Sequence, residues 1–542
     1  MNTGLSVLVD RYLDMLVDDY PTYATHLGIH TRDAELGDHT SDAFEERHSH
    51  VTTLLRDLEA LPGEEEDLDA RIDREILRAE LKHSVFVHEI VRPHETRPSM
   101  YIHTALGGCH SLTVKEFAPI EDRAVNLLSR LRQVPRVLES MERNIASPPR
   151  VFARVGAEAA MGGVAFIGAV IPQVGEAVPS LKADLAAASD AATRAFERAA
   201  EHLEKLGESG PEAFHVGRED YEWLLREYHM LDYDSESLRA MGWEVIRDTK
   251  SRMAEMAGEI SPDESWEGVL EDLKLDHPGK GEVRATYAAE MARARDFVIE
   301  NDLVTVPSGE RLEVIDTPVF IRNIIPYAAY MPPGPFEDQQ LGLFYVTPVD
   351  ESLPPDEQER QLRGHALHTI PVVALHEAYP GHHLQLVRAN AGSHKLRKLV
   401  WSTVYGEGWA LYCEEMMREA GFYSDARTRL CQLKENLWRA ARVVVDVGLQ
   451  LGEMSIEDGI EFMMREVHLE RVNATAEVKR YAGSPTQPSS YMIGKRAILT
   501  LREKALARDG NAFDLKSFHD SLLDLGNLQP RLAERSLGLA GK

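Results

Sequence analysis

Apolar residues recur at spacings of three and four along most of the chain, the period of a helix with one buried face. In residues 181–206, Leu181, Leu185, Ala188, Ala192, Phe196, Ala199 and Leu203 fall on one side, with Lys182, Asp190, Arg194 and Glu201 opposite. The same pattern predicts helices over 120–145, 220–260, 283–301, 426–454 and 456–468. These stripes read as core packing. Strand-like stretches, short and rich in β-branched or aromatic residues between Pro, Gly and Asp, cluster at 303–307, 311–316, 319–322 and 343–346. They predict a small antiparallel sheet inside a mainly α protein. Prolines 326, 332, 333, 335, 348, 354 and 355 make 326–355 an irregular connection.

The 542 residues, at about 150 per domain, suggest three or four domains. The helical pattern argues otherwise, because it shows no fixed repeat. The GESGPEAFHVG turn at 207–217 is the one place where its chemistry supports a boundary. The expectation is one large helical body over 1–542, bilobed if that turn divides it, with the catalytic part at about 300–500.

Charge narrows the partners. Sixty basic against 89 acidic residues leave −29, and phosphate binding needs clustered Lys and Arg. Nucleic acid and anionic membranes are therefore excluded as expected partners. Residues 1–17 carry Asp10 and Asp14 and lack the basic and apolar regions of a secretory leader. The most apolar window, 159–171, falls short of the roughly 20 residues that span a bilayer. Cys109, Cys413 and Cys431 are too few and too dispersed for a disulfide framework. These features predict a reduced, cytoplasmic protein.

One segment carries chemistry: IPVVALHEAYPGHHLQLVR at 370–388. A metallohydrolase needs neutral imidazoles as ligands and a carboxylate beside them to accept a proton from water. The helical solution HExxH puts both histidines on one face. Here Pro380 occupies the position of the second histidine. Proline removes a helical hydrogen bond and clashes with the carbonyl four residues back, so a kink or wide turn is expected. On an ideal helix His383 returns to within about 20° of His376; a looped-out Pro-Gly would bring His382 round instead. Downstream, WSTVYGEGWALYCEEMM offers Glu407, 407 − 382 = 25 residues on, at the start of the next predicted helix. A His₂Glu set leaves one open position. Glu414 and Glu415 read as solvent-facing helix charges.

HEAYPGHHLQ, EGWALYCEEM, SPTQPSSYMIGK and the N-terminal DYPTYATHLGIHTRD together resemble a bacterial family of unknown function, over nearly the whole chain. That family is similar to the helical zinc peptidases, such as the thimet-type oligopeptidases and carboxypeptidase Taq. The resemblance implies a helical body with a deep central channel, Zn²⁺ held by His376, His382 and Glu407, and Glu377 as general base. Its Gly-His pair favours His382 over His383. It also points to Tyr491 as the oxyanion donor, ahead of a helix expected from about Met492, with Tyr481 and Gln487 contacting substrate.

Small peptides are thus the expected substrate. Alternatives are a non-peptide amide or ester, or a non-catalytic binding protein on a degenerate peptidase scaffold. A negative overall field would favour basic peptides through long-range steering. Other candidates are weaker. His365 and His368 read as helix-surface residues, and His103 and His110 have loop-like spacing. Met161-Gly162-Gly163 lacks the Lys-Ser/Thr of a phosphate loop, and no GxSxG elbow occurs.

Overall fold

The computed structural model describes residues 3–540 apart from 63–66, 319–321, 323–324, 326 and 424. The chain divides into two compact units. Met1–Phe214 with Gly334–Asp338 form the first; His215–Pro333 with Gln339–Lys542 form the second. The break after Phe214 falls within the predicted 207–217 turn.

The first unit is helical. Ile120–Asn144 and Lys182–Ser209 occupy the predicted segments. The apolar stretch 159–171 lies inside a longer helix, Arg150–Ala177, which by length and composition alone could cross a membrane. Its Phe152, Ala160, Phe166, Ile167 and Val170 are buried, as a core helix requires. Met161-Gly162-Gly163 is helix interior, so no phosphate loop exists there. His103 and His110 sit on the Pro98–Val114 helix, where loop-like spacing had been expected.

In the second unit Val283–Glu300, Ala426–Gln450 and Ile456–Val467 form as predicted. The predicted 220–260 helix is broken. Arg218–Trp223 runs into a π-helical turn at Leu224–Tyr228, and Met230 adopts a left-handed φ of 56°. The chain resumes as Ser235–Ile260 behind a capping box between Asp234 and Ser237. That reciprocal cap satisfies two orphan backbone donors and gives the second helix its own start.

Among the described residues the sheet has three strands, β1 (Arg311–Asp316), β2 (Ala328–Met331) and β3 (Leu341–Val346), in the order β1-β3-β2. It is mixed, correcting the antiparallel expectation: β1 pairs parallel with β3 (Val314 opposite Phe344), and β2 pairs antiparallel (Tyr330 opposite Phe344). A parallel pair needs a crossover between its strands. Residues 317–340 supply it, and β2 forms within the proline-rich stretch expected to be irregular. The 303–307 stretch is not a strand. Of 319–322, all but Arg322, which lies in a turn, fall outside the described residues. Central β3 is buried from Gly342 to Val346, and Phe344 packs 5.5 Å from the Tyr287 ring.

Two helices of this unit touch backbone to backbone. A Cβ on Gly408 of the Thr403–Glu419 helix would lie 2.3 Å from the Gly494 Cα. One on Gly494 of the Gln487–Asp509 helix would lie 1.8 Å from the Val404 carbonyl oxygen. Only glycine permits this approach, and backbone atoms cannot step aside as a flexible side chain could. Gly494→Ala should therefore destabilise the protein by about 2–3 kcal/mol or more. Gly258→Ala, with nothing within 4 Å of the added methyl, should be neutral or stabilising. Thermal melts of the two variants check this; equal melting temperatures would contradict it.

Candidate metal centre

The HE segment does not continue as one helix. Ile370–Glu377 ends at His376-Glu377, and a new helix, His382–Ala391, starts after Ala378–Gly381. Two side chains of the neighbouring Thr403–Glu419 helix hold the break. The Trp409 indole donates to the Pro380 carbonyl at 2.8 Å, and the Cys413 thiol lies 3.7 Å from the same oxygen. The Gly381 amide bonds back to Leu375 O at 3.0 Å, and a Cβ at Gly381 would collide with the His376 carbonyl at 1.8 Å. The sequence Pro-Gly thus makes a compact turn that a bulkier residue could not close.

This turn decides between the adjacent histidines. His376, His382 and Glu407 converge, each offering one ligand atom, all within 4.8 Å of one another. His382 Nε2 lies 3.2 Å from Glu407 Oε2, and the His376 and His382 rings meet edge to face at 5.0 Å between centroids. His383 turns away. Its Nε2 bonds Glu310 at 2.9 Å and its Nδ1 meets the Tyr330 hydroxyl at 2.9 Å.

Further groups orient the cluster. His376 Nδ1 is 2.9 Å from Glu414 Oε1, both side chains being buried. The other Glu414 oxygen accepts from Gln432 Nε2 at 3.3 Å. A carboxyl oxygen at that distance suits the imidazole tautomer that carries its proton on Nδ1 and leaves Nε2 of His376 as a lone-pair donor. Glu414 is thus not the solvent-facing charge expected. It stands seven residues, two helical turns, beyond Glu407, so helix period alone places both on one face. Glu415, also not solvent-facing, sits among Arg418, Arg429 and Lys495.

Burial would raise the Glu407 carboxyl, but the His382 hydrogen bond, the charges of His382 and His376 and the Tyr491 hydroxyl hold it near 2. Burial opposes protonation of His382; the bond to Glu407 and the charges of Glu407 and Glu377 outweigh it and raise its pKa. Glu377, partly exposed at the end of its helix, therefore acts electrostatically on His382.

The Gln487–Asp509 helix begins before Tyr491, placing that residue in a helical turn, where a preceding loop had been expected. Tyr491 acts on Glu407, helping to lower that carboxyl. Tyr481 does not fit its expected role of touching substrate. It is fully buried, accepts from Arg442 Nε at 2.9 Å and Trp438 Nε1 at 3.3 Å, and donates to Glu477. Gln487 accepts from Arg480 at 2.9 Å.

Sequence reasoning missed a second network beside the first. Glu310 accepts from Tyr379 at 2.5 Å, Arg295 at 3.0 Å and His383 at 2.9 Å. Burial pushes its carboxyl up, but these three donors bring it down to about 2. No motif marks Glu310, which simply precedes β1. His365 is buried against Tyr287 and Tyr327, its pKa pushed down to about 4 by that burial. His368 lies between Thr428 and Asp276. Neither is on a helix, contrary to expectation, because 364–369 forms turns. The three cysteines are free and buried.

The family described as "Bacterial protein of unknown function (DUF885)" covers residues 21–537. The chain belongs to that family. No curated protein matches it. Two solved structures are similar along their length. A "putative lipoprotein of unknown function" from Shewanella oneidensis has a TM-score of 0.81 at 23% identity, covering 99% of this chain and all of that one. A "putative lipoprotein" from Colwellia psychrerythraea has a TM-score of 0.84 at 18% identity, covering 99% of each chain. This DUF885 chain shares their fold.

Asp446 anchors the start of the Tyr491 helix. It accepts from the Thr486 amide at 3.3 Å, the Ser489 hydroxyl at 2.5 Å and Tyr221 at 2.8 Å. Burial pushes its carboxyl up to about 7 against the pull of these donors. The folded state therefore holds a proton that the unfolded chain releases between its ordinary 3.8 and about 7. This contribution to stability is fullest below that window and is lost as pH rises through it. The stability of the wild type minus that of Asp446→Asn should fall across pH 4–7 and then level off. Urea midpoints at several pH values measure it, and a difference independent of pH would remove Asp446 from this role.

Proposed function

We propose that this protein is a zinc-dependent hydrolase of small peptides. The observation that carries the reading is the convergence of His376, His382 and Glu407 donor atoms within 4.8 Å, with Glu414 orienting one of the imidazoles. Two imidazoles and one carboxylate are the donor set of a catalytic zinc site that keeps a position open. Tetrahedral bonds of about 2.0–2.1 Å put neighbouring ligand atoms roughly 3.3–3.5 Å apart. The 3.2 Å between His382 and Glu407 suits that spacing, so the residues fit the ion. When bound, zinc would supply Lewis acidity to water and to an entering carbonyl.

The chain's own groups then divide the work. Glu377 accepts a proton from the attacking water and returns it to the leaving amine. Tyr491 donates its phenolic hydrogen to the developing oxyanion, a bond worth about 3 kcal/mol at that point. Glu414 and Gln432 hold His376 in register. The peptide substrate is what the resemblance to the helical zinc peptidases suggests; the family itself is described as of unknown function.

Protein purified without chelator should contain about one equivalent of zinc per chain, lost in His376→Ala. Glu377→Gln should keep the metal and lose hydrolysis of mixed peptides by at least about a hundredfold. Elemental analysis beside a peptide-cleavage screen reads both, and sub-stoichiometric metal would favour the non-catalytic scaffold instead. Glu414→Gln should weaken zinc affinity by about 10–100-fold, measured by competition with a chromogenic chelator. Location has its own test. The sequence expectation is the cytoplasm, whereas the descriptions of the two structural relatives favour the cell envelope. Fractionation of the producing cells decides between them.

A further inference from the structure

A positively charged group of side chains lies against the candidate metal centre in a chain whose net charge is −29. Arg439 and Arg442 stand three residues apart on one face of the Ala426–Gln450 helix. The guanidinium carbon of Arg442 is 4.7 Å from the centre of the Tyr491 ring, and that of Arg439 is 5.9 Å from it. The same tyrosine acts on Glu407, helping to lower its carboxyl. Arg439 also acts electrostatically on His382 and feels the charge of Glu414, so it borders the cluster from the same side.

The partners leave donors over. Arg442 gives Nε to Tyr481 and Nη2 to Glu477. Arg439 pairs with Glu435, and both guanidiniums lie near the Trp438 ring, at 5.3 Å for Arg439 and 4.9 Å for Arg442. Glu477 is shared with Arg480 at 3.0 Å. Three guanidiniums thus share the paired carboxylates Glu435 and Glu477. Two donor atoms, Nη1 of Arg442 and Nε of Arg439, are buried with no hydrogen-bond partner among the described residues. Arg442 itself is only 5% exposed. An unsatisfied buried guanidinium nitrogen is costly unless an anion arrives to accept from it. The planar fork of arginine matches a carboxylate or a phosphate.

We propose that Arg442 and Arg439 form a subsite for the free C-terminal carboxylate of a peptide, so that the protein cleaves from the C-terminal end. The inference rests on the peptidase reading above and names the substrate's recognised group. The Tyr491 side chain has the guanidiniums over its ring and acts on Glu407. Extended peptide covers about 3.3–3.6 Å per residue, so a terminus held one phenol ring away from the centre corresponds to one or two residues beyond the scissile bond. The released product is then a single amino acid or a dipeptide. Tyr491 stands between the two ends, its ring under the guanidiniums and its hydroxyl at the reacting carbonyl. The basic-peptide preference suggested by overall charge concerns side chains and long-range approach; this subsite concerns the terminus.

Binding tests the subsite without catalysis. Acetyl-trialanine with a free carboxylate and the same peptide as its C-terminal amide are titrated calorimetrically into chelator-treated full-length protein. The acid should bind about tenfold or more tightly than the amide. Arg442→Met should abolish the difference, and Arg442→Lys, which keeps charge but not the fork, should restore only part of it. Arg439→Gln serves as a second variant should loss of the Glu477 partner prevent folding. Equal binding of acid and amide by the wild type, or a preference retained in folded Arg442→Met, overturns the subsite. Inorganic phosphate competing more strongly than acetate overturns its assignment to a carboxylate. A cleavage arm with zinc-loaded wild type separates the two claims. Sequential release of one or two C-terminal residues from the acid supports the inference. Cleavage of acid and amide alike overturns it and leaves the peptidase reading standing. No hydrolysis of any peptide, with the acid-amide difference intact, leaves the subsite standing and removes the peptidase reading.

Discussion

The contact on which the candidate site depends is the one between Gly408 and Gly494. Interhelical distances are ordinarily set by side chains, but here two backbones meet with nothing between them. Glu407 immediately precedes one glycine, and Tyr491 lies three residues before the other. Drawing the helices together brings a carboxylate and a phenol from segments far apart in the chain near enough to act on each other's charge. The same Thr403–Glu419 helix reaches the other way through Trp409 to the Pro380 carbonyl and so fixes the turn that delivers His382. One helix sets the positions of the third donor, the second donor and the carboxylate behind the first.

Burial makes these placements electrostatically demanding. Glu407, Glu414, Glu310, Arg439 and Arg442 all have largely buried side chains. Lone buried charges would cost several kcal/mol each. Each instead has a partner of opposite sign or a set of donors, and the partners form a chain from Glu310 through the adjacent His383 and His382 to Glu407. Such networks contribute little net stability when complete and are expensive when broken. Their value here is positional: the histidines are held in fixed orientations before any ligand arrives.

Much of this was legible in the sequence, for reasons that can be named. The helices followed from apolar period because their stripes are uninterrupted. The 220–260 segment misled because its apolar period passes through a π-helical turn and a left-handed Met230 without changing phase. The HE segment was legible as a break, since Pro380 forbids a straight helix. Which histidine the break delivered depended on how tightly the chain turned at Gly381. Glu414 was within reach of helical spacing from Glu407 but was read as solvated. The resemblance points to Tyr481 as a substrate contact, whereas its buried hydroxyl is held by Arg442, Trp438 and Glu477. The parallel pairing of β1 with β3 and the role of Glu310 have no local signature, being set by contacts between segments distant in the chain.

The turn at Ala378–Gly381 has a consequence for recognising proteins of this kind. It puts the two converging histidines six positions apart, with a further histidine immediately after, so a search built on the four-residue spacing of a continuous helix passes over them. The transferable signature is a pair of relations. One is an HE pair followed by Pro-Gly-His; the other is a glutamate with a second glutamate seven positions later on the downstream helix. Chains that preserve both relations while losing the glycine of the backbone contact would keep the donor residues and lose their convergence. Reading the donors and the glycine together therefore distinguishes an assembled centre from a decayed one, using nothing more than the order of residues.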